Sequence, residues 1–180
     1  MEIYILDINT LPENILTESI RNSDYKIVFG NKLKEKQHYA GRYLLSKILR
    51  EFYSMEYFET EIIKGKPYLK NNPYYFSISH SENIVGIAIG KEEVGFDIEY
   101  NKKIRNYSQI LKRYNQNIPE DSDIQKELYE FWTQHEAKIK LSSKFNEKVF
   151  YHTSVFNDNY TYSVALKNSF DANIAVHLVH

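Results

Sequence analysis

The sequence predicts an α+β fold. Residues 2–8 alternate isoleucine with polar neighbours, which is typical of a strand, and strand and turn signals recur in both halves of the chain. Residues 32–53 instead repeat apolar residues at three- and four-residue steps, as an amphipathic helix does. With 6 glycines and 4 prolines among 180 residues, long flexible linkers are not expected. We therefore predict two similar α+β halves, residues 1–91 and 92–180, joined near 90–93.

The N-terminal half is predicted to contain one helix between strands. The helix at 32–53 places Ala40, Leu44 and Ile48 on one apolar face. Its first turns carry several lysines, including Lys36, whose charge opposes the helix dipole and indicates a role other than helix stability. After the strand at 2–8, further strands are expected at 58–63, 75–79 and 84–89, with turns at 71–73 and 81–83.

The C-terminal half is predicted to begin with a strand at 94–99. Asp121-Ser-Asp123 can cap a helix that runs to about Leu141, because an aspartate at a helix start accepts hydrogen bonds from free backbone N–H groups. Residues 149–179 are typical of three strands, with a hairpin turn at 157–159.

Composition excludes several classes of function. Lysine plus arginine number 23 and aspartate plus glutamate 24, so the basic excess typical of nucleic-acid binding is absent. The absence of cysteine excludes disulfides, thiol catalysis and thiolate metal sites. The most apolar window, 84–90, is far shorter than the roughly 20 residues of a membrane span. Since the N-terminal residues also lack signal-peptide features, we expect a soluble cytoplasmic protein without a nucleic-acid or membrane partner.

An acidic pair in the strand at 94–99 is the first candidate site. Asp97 and Glu99 are two residues apart, so their side chains project from the same face of the strand. Two adjacent carboxylates repel each other, and a cation such as Mg²⁺, which prefers oxygen ligands, would neutralise them. An isolated pair of this kind is more often a solvated strand edge.

The predicted second helix carries the next candidate group. Trp132, Glu136 and Lys140 are spaced by four residues and lie on one face. Alone, Glu136 and Lys140 would be an ordinary surface ion pair. Beside the acidic strand, Glu136 could be a third metal ligand or a general base, and Lys140 could hold a phosphate.

Two segments of the N-terminal half offer hydrogen-bond donors to a phosphate. Gly65-Lys-Pro67 is read as a turn that fixes Lys66 beside the rigid Pro67. Phe76-Ser-Ile-Ser-His-Ser81 ends a buried strand with hydroxyls and the His80 imidazole. A serine–histidine pair is more often a turn than a catalytic pair, and the glycine-rich loops of standard nucleotide sites are absent.

Four motifs in chain order resemble those of the 4′-phosphopantetheinyl transferases of the surfactin-activating type: Gly65-Lys-Pro67, Phe76-Ser-Ile-Ser-His80, Val94-Gly-Phe-Asp-Ile-Glu99 and Trp132-x-x-x-Glu136-Ala-x-x-Lys140. The resemblance implies transfer of phosphopantetheine from coenzyme A to a serine of an apo acyl or peptidyl carrier protein. It also implies two similar α+β halves about a pseudo-twofold axis, with coenzyme A in the cleft between them. A monomer is expected, since the cleft needs no second subunit.

The resemblance also implies a role for each matching residue. Asp97, Glu99 and Glu136 would hold Mg²⁺, and Asp97, Glu136 and Lys140 would form the catalytic set. Glu136 would deprotonate the serine hydroxyl, while Lys140 would neutralise the transferring phosphate. The phosphates of coenzyme A would be bound by Lys36, Arg42, Lys66, Pro67, Ser79, His80 and Lys140.

One residue departs from the family pattern and keeps alternatives open. His135 stands where the family usually has lysine, so a charge that titrates near neutrality replaces a permanent one. If His135 still reaches a phosphate, activity is expected to fall as the pH rises through neutrality. The alternatives are a non-catalytic binder of coenzyme A or of a carrier protein, and a metal-dependent phosphohydrolase.

A basic stretch in the C-terminal half is a candidate contact surface for a carrier protein. Residues 101–118 contain no acid, and carrier proteins of this system resemble small acidic bundles. Basic side chains there could steer such a partner electrostatically, or form an ordinary solvated face. These side chains are Lys102, Lys103, Arg105, Lys112 and Arg113.

Overall fold

A computed structural model describes residues 1–15, 29–102, 107–114, 116, 123–142, 147–168 and 174–180. The described chain is mixed α+β with three sheets, which confirms the predicted class. No helix among these residues is long and apolar enough to cross a membrane.

The helices and strands follow the predicted order closely. The N-terminal half contains β1 (Glu2–Asp7), a 3-10 turn (Ile8–Thr10), α1 (Lys32–Tyr53), β2 (Thr60–Ile63), β3 (Lys66–Leu69), β4 (Tyr75–Ser81) and β5 (Ile84–Gly90). The C-terminal half contains β6 (Val94–Tyr100), α2 (Tyr107–Arg113), α3 (Ile124–Lys140), β7 (Phe150–Phe156), β8 (Tyr160–Leu166) and β9 (Ala175–Val179). Asp123 caps α3 as predicted, since its side chain accepts from two backbone N–H groups of the first turn.

Two elements differ from the sequence prediction. The turn around Gly65 is shorter than expected, because Lys66 and Pro67 already belong to strand β3, which pairs with β2 in a hairpin. The basic stretch contains the short helix α2, which was not predicted. Both are short elements whose own sequences carry little periodic signal.

Two sheets form the centre of the molecule. The first sheet has the strand order β4-β5-β1-β9, with β9 parallel to β1 and the other pairs antiparallel. The second sheet is antiparallel with the order β6-β8-β7. The last strand of the chain therefore completes the sheet that contains the first.

The core lies in layers around these sheets. Helix α1 packs on one face of the first sheet, where Leu44, Ile48 and Ile87 belong to one buried apolar cluster. The opposite face packs against the second sheet through residues such as Ile5 and Phe96. Helix α3 covers the far face of the second sheet. The order is thus helix, sheet, sheet, helix.

A glycine allows α3 to lie directly on strand β6. A Cβ atom added at Gly95 would lie 1.9 Å from the carbonyl oxygen of Ala137 and 2.7 Å from the amide nitrogen of Leu141. Any larger residue would push the helix away, because both neighbours are backbone atoms that cannot rotate aside. This contact places the C-terminal turn of α3 next to Asp97.

We expect Gly95→Ala to lower the free energy of unfolding by about 3 kcal/mol, because the added methyl group overpacks a fixed helix–strand contact. Urea denaturation followed by circular dichroism measures the change. Gly30→Ala is the matched control, because no atom lies within 4 Å of a Cβ added there. Equal stability of the two variants would contradict the packing argument.

Candidate active site

A buried carboxylate is the centre of the candidate site. Asp97 is 4% exposed, and its Oδ1 accepts hydrogen bonds from Ser79 Oγ at 2.7 Å and from Lys140 Nζ at 2.7 Å. Lys140 Nζ also donates to Ser79 Oγ at 2.8 Å, so the three groups form a closed triangle. The second oxygen, Asp97 Oδ2, is buried and has no hydrogen-bond partner. One oxygen of the carboxylate is thus paired, and the other has no hydrogen-bond partner among the described residues.

Glu99 lies next to this triangle as a partly buried acid. Its Oε2 accepts a hydrogen bond of 2.8 Å from Ser81 Oγ. Burial raises the pKa of the Glu99 carboxyl, and the charges of Asp97 and Glu136 add to that rise. The Ser81 hydrogen bond and the charge of Lys140 oppose it. The sequence-predicted acids therefore interact electrostatically, and a cation near them would favour the ionised form of Glu99.

Alternate serines of strand β4 hold this arrangement together. Ser77 Oγ accepts from the Phe96 N–H at 3.0 Å, and Ser81 Oγ accepts from the Tyr100 N–H at 3.0 Å. Ser79 lies between them on the same face of the strand. We call Ser77, Ser79 and Ser81 the serine seam, because their side chains join β4 to β6 although these strands belong to different sheets.

The acids have the chemistry of a magnesium site. The described residues contain no group of three histidine, aspartate or glutamate side chains arranged to hold a metal ion. Mg²⁺, however, usually takes one or two carboxylates and completes its shell with water and phosphate oxygens. Asp97, with its unpartnered buried Oδ2, and Glu99 on the same strand face fit that requirement. A third ligand from Glu136 stays a prediction.

A cleft leads from this centre towards helix α1. One cavity of about 280 Å³ is lined by residues that include Lys66, Ser77 and Lys140. A second, of about 590 Å³, is lined by residues that include Arg42 and His80. The two cavities share Gly65, Pro67 and Ile78 as lining residues, so they adjoin along the β2–β3 hairpin and strand β4.

Lys66 is the cation at the junction of the hairpin and the second sheet. Its Nζ donates to the carbonyl oxygen of Val94 at 2.8 Å. Burial lowers the pKa of the Lys66 ammonium to about 8, while the nearby Glu93 opposes the change and Lys167 adds to it. An anion in the cleft would raise this pKa again, because opposite charge favours the protonated form.

The larger cavity contains two imidazoles, of which the sequence analysis identified one. Burial, together with the charges of Lys140 and Lys34, lowers the pKa of His80, although part of the residue remains exposed. The second imidazole, His38, was not predicted. Burial is the main cause that lowers the pKa of His38, and the charges of Arg42 and His80 lower it further. His38 precedes Arg42 by one helical turn, and this spacing is the only signal that could have identified it.

Two other sequence candidates lie apart from these contacts. Lys36 is exposed on α1 and is not among the residues that line either cavity. The His135 ring lies among aromatic rings, with centroids 5.4 Å from Tyr114 and 5.8 Å from Phe131. The proposed contact of His135 with a phosphate, and the pH dependence derived from it, stay predictions.

Basic side chains line both cavities, and Lys140 links the smaller one to the buried carboxylate of Asp97. This arrangement suits a ligand with several phosphates that also binds a divalent cation. No protein-family model and no curated protein matches the chain. The functional assignment therefore depends on the residues and on the geometry of this cleft.

We expect one lysine of the folded protein to titrate near pH 8, because burial disfavours the charged form of Lys66. NMR of the reductively ¹³C-methylated protein measures each lysine pKa, and Lys66→Arg identifies the signal by its loss. Lys70 is the internal control, because Glu59 raises its pKa on the surface. The prediction fails if every lysine signal titrates at or above the ordinary value of about 10.4.

Proposed function

We propose that the protein transfers 4′-phosphopantetheine from coenzyme A to a serine of an apo acyl or peptidyl carrier protein and releases adenosine 3′,5′-bisphosphate. The observation that carries the proposal is a cleft of two adjoining cavities. Arg42 and His80 line the larger one, and Lys140, which is hydrogen-bonded to Asp97, lines the smaller one. Coenzyme A matches this cleft, since the molecule has a 3′-phosphate at its adenosine end and a pyrophosphate that contains the reacting phosphorus.

The lining residues suggest how coenzyme A would bind. Arg42 and His80 would contact the 3′-phosphate in the larger cavity, and Lys66 and Lys140 would contact the pyrophosphate in the smaller one. Pro67, which lines both cavities, would help to shape their junction, and Ser79 would act through its hydrogen bonds with Asp97 and Lys140. A phosphate next to His80 would raise the lowered pKa of this residue, so the imidazole would gain a proton on binding.

The layered fold is compatible with the family architecture. The first sheet with α1 and the second sheet with α3 would correspond to the two related halves about a pseudo-twofold axis. Strand β9 departs from a simple division at residue 91, since it comes from the C-terminal half and pairs with β1. The cleft would then lie where the halves meet, along β4 and the hairpin.

In the reaction, Glu136 would accept the proton of the carrier serine hydroxyl. The serine oxygen would then form a bond to the phosphorus next to the pantetheine, and the bond from that phosphorus to the bridging pyrophosphate oxygen would break. Lys140 would neutralise the negative charge on the transferring phosphate. When bound, Mg²⁺, held by Asp97 and Glu99, would act as a Lewis acid on the pyrophosphate oxygens.

The carrier protein would approach near the basic stretch. Lys112 and Arg113 lie in the last turn of α2 and are exposed. Lys102 is engaged in an ion pair with Glu82, and Lys103 and Arg105 lie outside the described residues. Steering of an acidic partner would therefore depend most on α2 among the described elements.

Incubation of an apo carrier protein with this protein, coenzyme A and Mg²⁺ is expected to increase the carrier mass by one phosphopantetheine, measured by intact-protein mass spectrometry. A chelator should abolish the gain. Glu136→Gln should slow it by about 10²- to 10⁴-fold, the usual effect of removing a general base. Glu127→Gln, an equal charge change in the first turn of the same helix, should leave the rate near that of the wild type.

The other results would identify the alternatives. Coenzyme A binding by calorimetry without a mass gain on any of several carriers would indicate a non-catalytic binder. Release of phosphate products without a carrier would indicate a phosphohydrolase. Either result would contradict the transferase proposal.

A further inference from the structure

The Lys140 ammonium is paired with the Asp97 carboxylate, which would also bind the proposed metal. We propose that Lys140 is a resident counter-cation of the acidic centre, which competes with the divalent metal until a phosphate-bearing ligand draws it away from Asp97. The inference rests on the metal site of the proposed function. It adds that binding of the metal and binding of the phosphate-bearing ligand are coupled. It is supported by the Ser79–Asp97–Lys140 triangle and by the unpartnered oxygen Asp97 Oδ2.

The first argument is electrostatic. The Asp97 side chain is 5% exposed, and Lys140 Nζ lies 2.7 Å from its Oδ1. A carboxylate removed from water in this way requires a positive partner, because an unpaired buried charge is strongly unfavourable. Without metal, Lys140 supplies that charge. A divalent cation at Oδ2 would lie close to the ammonium and be repelled by it.

The second argument concerns the position of Lys140. It is the last residue of α3, and its side chain is 29% exposed, so the ammonium can leave Asp97 without unfolding the helix. Lys140 also lines the smaller cavity with Lys66. A phosphate in this cavity would therefore compete with Asp97 for the same ammonium.

The two arguments together predict positive cooperativity. A phosphate-bearing ligand moves the ammonium away from Asp97, which strengthens metal binding, and the metal in turn releases Lys140 for the phosphate. Linkage requires that each ligand increase the affinity of the other by the same factor. Ser79 contacts both partners of the ion pair and would retain its hydrogen bond to Asp97 after the exchange.

The first test measures Mn²⁺ binding to the protein alone by electron paramagnetic resonance. Lys140→Met should bind Mn²⁺ roughly tenfold more tightly than the wild type, within the range typical of coupled sites. Lys138→Met, which removes the same charge two residues away on α3, should change the affinity little. Lys140→Arg retains the positive charge and should also resemble the wild type, and Asp97→Asn should lose binding.

The second test repeats the titration with saturating coenzyme A, corrected for Mn²⁺ bound by coenzyme A itself. In the wild type, coenzyme A should increase the Mn²⁺ affinity clearly more than in Lys140→Met, because the variant has no ammonium to release. Circular dichroism and thermal unfolding verify that each variant is folded.

Weaker or unchanged Mn²⁺ binding by folded Lys140→Met would overturn the inference, as would an equal effect of coenzyme A on both proteins. These results leave the proposed function intact if the wild type still modifies a carrier. If the wild type binds no Mn²⁺ and modifies no carrier, both the inference and the proposed function fail.

Discussion

The buried negative charge of Asp97 is the constraint on which the site depends. A carboxylate that is 4% exposed needs compensation, and this comes from Ser79 on strand β4 and from Lys140 on helix α3. Three elements that are distant in sequence are thereby held around one group. The close approach of α3 at Gly95 is part of the same arrangement, since a helix held further away would not bring Lys140 within hydrogen-bond distance.

The serine seam shows how the two sheets are joined at this point. Strands β4 and β6 are edge strands of different sheets, and each has backbone groups that no neighbouring strand satisfies on that side. Ser77 and Ser81 accept hydrogen bonds from two of the β6 N–H groups. Ser79 and Ser81 also donate to the two carboxylates of that strand. The same side chains therefore stabilise the sheet edge and orient the acids.

The sequence was sufficient to predict local features but not the long-range contacts. Helix α1 and the side-by-side orientation of Asp97 and Glu99 follow from short-range periodicity, which the structure confirms. The Lys140–Asp97 pair joins residues 43 positions apart. The pairing of β9 with β1 likewise joins the two ends of the chain. Such contacts depend on how the sheets pack, and periodicity within a segment contains no information about them.

The charges of the cleft residues respond to a ligand in both cavities. Closely spaced cations repel each other in the absence of an anion, and burial makes each charge less favourable still. The lowered pKa values of His38 and His80 reduce this repulsion by favouring the neutral imidazoles. An anionic ligand would reverse the effect and restore positive charge where it binds. Near the smaller cavity, Lys140 neutralises the charge of Asp97. Without a ligand, the cleft is therefore stabilised by neutral imidazoles and by this ion pair. A phosphate would change the charge of the imidazoles and the position of the Lys140 ammonium.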